Sequence, residues 1–134
     1  NDIFKKYDVP QYFDLLSIDI DGNDYWVWKE LTYIPNVVII EYNSNFSLDE
    51  PYVLKYNPEH NFFKDGNAYS ASLISMKKLG ESKGYFLHKE ISATNLIFVL
   101  NKFKNIIDEL DINNVKLPIH QHNGKQINFF EKII

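Results

Sequence analysis

One stretch constrains the chain more than any other: Phe13-Asp14-Leu15-Leu16-Ser17-Ile18-Asp19-Ile20-Asp21-Gly22-Asn23-Asp24-Tyr25. A short apolar run meets three acidic residues and a glycine, and a segment with helical character follows. Successive side chains of a strand point to opposite faces, so a strand over Phe13–Ile20 sends Asp19 toward the same face as Asp21. Gly22 is suited to a sharp exit from the strand, and Asn23 or Asp24 to capping the next helix. Open α/β sheets bind their ligands at such carboxyl ends of strands.

The rest of the chain fits around this turn. Residues 1–8 read as a short helix that Pro10 ends, and Phe13–Ile20 as a strand inside a parallel sheet. Tyr25–Leu31 continues as helix. After Pro35, Val37-Val38-Ile39-Ile40-Glu41-Tyr42 reads as a buried strand that ends in a carboxylate. Strand, helix and strand in about thirty residues make a right-handed crossover, which turns Asp19, Asp21 and Glu41 toward one crevice. Residues 43–67 lack periodicity, as a functional loop does, with room for a strand at Tyr52–Tyr56. The strongest helix spans 68–83, ended by Gly84. Tyr85–Glu90 and Asn95–Leu100 form a hairpin over Ser92-Ala93-Thr94. A short helix is expected at Phe103–Leu110 and a helix or strand at Gln126–Ile133.

Composition narrows the function classes. The 134 residues carry a net charge of −4, and all 14 basic residues are Lys, so a nucleic-acid partner is not expected. With no Cys there is neither disulfide nor thiolate chemistry, which fits a reducing, cytoplasmic setting. No apolar run reaches membrane-spanning length, so no membrane partner is expected.

The order of elements, the DxDGxD turn and the Glu-terminated second strand resemble the C-terminal half of class I S-adenosylmethionine-dependent methyltransferases, most closely those of FkbM type. Their fourth strand ends in hydrophobic-Asp-hydrophobic-Glu-Gly-x-Glu, which corresponds here to Ile18-Asp19-Ile20-Asp21-Gly22-Asn23-Asp24, with Asp in place of both Glu. The resemblance covers about residues 13–102. It implies an α/β, Rossmann-like half-sheet of two parallel strands plus a C-terminal antiparallel hairpin, flanked by helices, with residues 103–134 as a helix and tail. It further implies O-methylation of a small-molecule or sugar hydroxyl. S-adenosylmethionine would be bound by an upstream half, because no Gly-rich turn follows a strand here, so the chain is expected to be a fragment with no cofactor-binding residues assigned to it. Two other classes fit the residues. A strand ending in DxDG also resembles the first motif of haloacid-dehalogenase-type Mg-dependent phosphatases, but the later acidic pair of that family is not evident. A non-catalytic α/β domain would pair as a homodimer through the edge of the Phe13–Ile20 strand, unless Gln126–Ile133 folds back to cover it.

Oxygen-rich carboxylate sets suit Mg²⁺ or Ca²⁺, which makes Asp19, Asp21 and Glu41 both the metal candidates and, with His60, the catalytic ones. Related sugar O-methyltransferases hold a divalent metal near this strand end. Asp24 reads as a cap, Asn43 and Asn45 as loop caps or hydroxyl-orienting groups, and His88 as structural. His120 and His122 share a strand face and form a weaker metal pair. Tyr25, Trp26 and Trp28 read as helix packing, with stacking on a sugar or adenine ring as the alternative.

Overall fold

The computed structural model describes residues 1–118 and 125–133, so His120 and His122 lie outside the described residues. The fold is mixed α/β. Its main sheet contains β1 (Tyr12–Ile18), β2 (Ile34–Glu41), β4 (Tyr85–Ile91) and β5 (Asn95–Leu100) in the order β1-β2-β5-β4. The β1–β2 pair is parallel, and β5 joins β2 and β4 antiparallel, which is the expected pair of parallel strands plus hairpin. A second sheet of two strands pairs β3 (Tyr52–Leu54) with β6 (Phe130–Lys132).

Register sets the core. Leu16 lies opposite Val38 and Ile18 opposite Ile40. Val38 in turn faces Phe98, and Ile40 faces Leu96. These residues line one face of the sheet, onto which helices α2 (Asp24–Glu30) and α3 (Leu73–Ser82) pack through Tyr25, Trp28, Leu73, Met76 and Leu79. Trp28 is fully buried, with its ring 4.8 Å from that of Phe98 and 5.7 Å from that of Tyr85. The opposite face is more open: Leu15 is 55% exposed, and Val37, Ile39 and Ile97 are half-buried. Helix α1 (Asp2–Lys6) covers only one end of it, where Phe4 meets Phe13 and Tyr33 edge-on.

Several elements depart from expectation for identifiable reasons. Strand β1 is an edge strand rather than an inner one, and it stops at Ile18, which leaves Asp19 and Ile20 in the turn. Helix α3 begins only at Leu73, because the Ser72 hydroxyl caps it by accepting the Ser75 N–H, and the chain leaves it through Gly84 at φ +88°. No α-helix forms at Phe103–Leu110. A single 3-10 turn, Asn101–Phe103, is followed by irregular chain in which Ile106 is 79% exposed. The tail does form a strand, but β6 pairs with β3 and does not fold back onto β1. Nor does the tail stand apart, since Leu110, Ile112, Val115, Leu117 and Ile133 pack against the main core.

Candidate metal centre

The site is built on the turn after β1. Asp21 takes φ +52°, a left-handed conformation that Asp tolerates better than most residues, so the sharp bend falls one residue before Gly22. The fully buried Asp24 carboxylate holds the turn closed, accepting the N–H of Ile20 and of Gly22 at 3.0 Å each. Burial pushes its pKa up against the opposing pull of those backbone N–H groups. Asp24 is therefore a staple inside the turn rather than a helix cap. Asn23 occupies the cap position without capping, because its side chain reaches across to the backbone of Asn57.

The parallel pairing of β1 with β2 brings the three expected carboxylates together. Asp19, Asp21 and Glu41 each offer an oxygen, and these oxygens all lie within 4.8 Å of one another. The two aspartates are exposed, whereas Glu41 is only 8% exposed. Glu41 receives the backbone N–H of Asp21, while its Oε2 is buried without a partner. Burial above all, then the negative charges of Asp24, Asp19 and Asp21, push its pKa up to about 8. At neutral pH Glu41 thus holds a proton unless a cation takes its place. Two like charges at this spacing repel by about 3 kcal/mol at an effective dielectric near 20, so the cluster favours either a proton or a cation.

The long loop supplies neighbours that no sequence pattern marks. Ser70, at φ +53°, donates its hydroxyl to the Glu41 carbonyl at 2.7 Å and its N–H to the Gly22 carbonyl at 2.9 Å. Tyr69 shares a hydrogen bond with the Ser44 side chain, and its phenol is pushed up to about 12 by burial, then by Glu41 and Asp21. Ser44 also lines a cavity of about 540 Å³ with Asn45, Leu48, Val115 and Leu117. Asn43 and Asn45 bind each other, and Asn43 also bonds the Tyr69 carbonyl, which makes them loop ties.

His60 lies against Gly22 and is not among the cluster's converging oxygens. His88 sits on the far edge strand, where its Nδ1 meets the Asp108 carbonyl at 2.7 Å. Trp28 and Tyr25 belong to the core, and the Trp26 indole donates to the Leu54 carbonyl at 2.7 Å, so all three serve packing.

The donor set fits a hard divalent cation. It does not fit S-adenosylmethionine. The turn after β1 is acidic and filled by His60, and Gly66, Gly80 and Gly84 sit in the loop, within α3 and after α3, so none of the described glycines makes a glycine-rich turn after a strand. Comparison with protein-family models, curated proteins and solved structures gives no match for the chain. No helix among the described residues is long and apolar enough to cross a membrane.

Proposed function

We propose that the chain is the cation-binding, acceptor-side part of an FkbM-type S-adenosylmethionine-dependent O-methyltransferase, built on a Rossmann-like half-sheet and acting on a small-molecule or sugar hydroxyl. The observation that carries this reading is the convergence of Asp19, Asp21 and Glu41 at the carboxyl ends of two adjacent parallel strands. These three residues would hold Mg²⁺ or Ca²⁺, which when bound supplies Lewis acidity to a hydroxyl oxygen. The chain's own part is to bind and orient the acceptor, with Tyr69 and Ser44 between the carboxylates and a cavity that has room for a sugar. In this reading the cofactor is held elsewhere in the enzyme, whose remaining strands pair with the outer edge of β1.

The DxDG phosphatase reading is weaker, because the carboxylate that joins Asp19 and Asp21 among the described residues is Glu41, and no acidic residue after Glu90 does so. The test uses the product of the whole reading frame, labelled S-adenosylmethionine and a panel of sugar acceptors. Methyl transfer that is lost with EDTA and in Asp21→Asn is expected. Phosphate release from sugar phosphates without methyl transfer would favour the phosphatase.

A further inference from the structure

A second cavity, of about 400 Å³, opens between α2 and α3 beside the end of β6, with Lys29, Lys78 and Lys83 in its lining. The chain carries a net charge of −4, yet none of these three lysines forms an ion pair among the described residues. Lys77, one residue away on the same helix, is paired with Glu81. Two of the three ammonium groups are held in place. Lys83 Nζ donates to the Leu31 carbonyl at 2.9 Å and to the Lys29 carbonyl at 3.3 Å, which sets it between the two helices and leaves a third N–H. Lys29 Nζ stands 4.8 Å from the centre of the Trp26 ring and 6.0 Å from that of Tyr25, which also lines the cavity. Lys78 is exposed and needs no movement of the backbone to reach a ligand there.

Burial pulls the Lys83 ammonium below its ordinary pKa, against the opposing charge of Glu30. Glu131 acts in the same way on Tyr25, and neither glutamate lines the cavity. The Ser82 hydroxyl donates to the Leu79 carbonyl at 2.7 Å, so the donors left at the cavity are the lysines. Like charges gathered in one space raise the local concentration of a counter-ion, and ammonium groups suit phosphate oxygens as point charges. The volume is larger than a bare phosphate ion needs, and Leu79 and Ile133 supply carbon walls. We propose that this cavity binds a small organic phosphate monoester, its phosphate held by Lys29, Lys78 and Lys83 and its organic part against Leu79 and Ile133. The site is separate from the carboxylate cluster, which lies at the turn before α2, and does not depend on the cation reading.

Amide-resolved NMR titration of the intact chain with phenyl phosphate tests this. Saturable shifts are expected at Lys29 and across Lys78–Lys83, with the Asp19 and Asp21 amides unmoved. Lys78→Gln should weaken binding about threefold, and Lys77→Gln, which removes a lysine already paired, should leave it unchanged. The Lys29→Gln, Lys78→Gln double variant should no longer saturate, and inorganic phosphate should bind the wild-type chain more weakly than the ester. Equal weakening by Lys77→Gln and Lys78→Gln would reduce the effect to net charge and overturn the site. Equal affinity for inorganic phosphate and the ester would overturn the recognition of an organic part. Capture by phosphatidic acid vesicles without saturable binding of phenyl phosphate would assign the lysines to a lipid surface instead.

Discussion

The two edges of the main sheet are treated in opposite ways. At the β4 edge the register shifts between Leu87 and Lys89, Lys89 points outward, and the later chain covers the strand, with Leu110 N–H donating to the Leu87 carbonyl at 2.8 Å. These are familiar devices for closing an edge. At the β1 edge no described residue pairs with the outer side, and Tyr12 and Leu15 are 67% and 55% exposed. The carboxylate cluster lies at the carboxyl end of this open strand. One side of the domain is finished as a folding unit, and the other carries the carboxylate cluster and a strand edge with no described partner.

The contrast breaks first in the core. Trp28→Ala should lower unfolding free energy by about 3–5 kcal/mol in urea titrations, whereas Leu15→Ala should cost about 0.5 kcal/mol or less. Equal costs would mean that the β1 edge is covered in solution.

Glu41 gives the next largest effect. Its carboxyl is protonated in the folded chain and ionised in the unfolded one between pH 4.5 and about 8, so folding takes up a proton in that window. Stability should therefore be highest below the window and fall as pH rises through it. Glu41→Gln should flatten the fall by on the order of 2–4 kcal/mol, read from urea titrations across pH.

Gly22→Ala should cost about 1–3 kcal/mol through the clash with His60. Adding His60→Ala should recover part of that loss. A loss that is unchanged in the double variant would place the strain in the turn itself rather than against the ring.

Legibility follows the same divide. The hairpin was readable from its apolar runs, although its turn puts Ser92 and Ala93 at positive φ without glycine, a conformation held by Glu90, which accepts the Ala93 N–H and the Tyr42 hydroxyl. Asp19, Asp21 and Glu41 were readable because strand alternation and a parallel crossover dictate where they point. The edge position of β1 was masked by Leu15-Leu16, although Asp14, bonded to Asn36, and the exposed Ser17 mark its open side. Phe103, Ile106, Ile107 and Leu110 have helical spacing, but so short a segment rarely holds a helix without packing. Tyr69, Ser44 and Ser70 carry no local signal, because only the tertiary path of the loop brings them to Glu41.

The smallest effect on stability comes at the open edge. Leu15→Lys should change stability by about 0.5 kcal/mol or less and reduce self-association in light scattering at high concentration. A wild-type chain that stays monomeric there would remove the homodimer as the partner of this edge.

Calorimetric titration with Mg²⁺ and Mn²⁺ near pH 7, in buffers of different ionisation enthalpy, probes the carboxylate site most directly. One saturable site is expected, releasing about one proton per ion as the cation displaces the proton of Glu41. That release should vanish in Glu41→Gln, and binding should be lost in the Asp19→Asn, Asp21→Asn double variant. Absence of saturable heat, or proton release that persists in Glu41→Gln, would contradict a cation site built on these three residues.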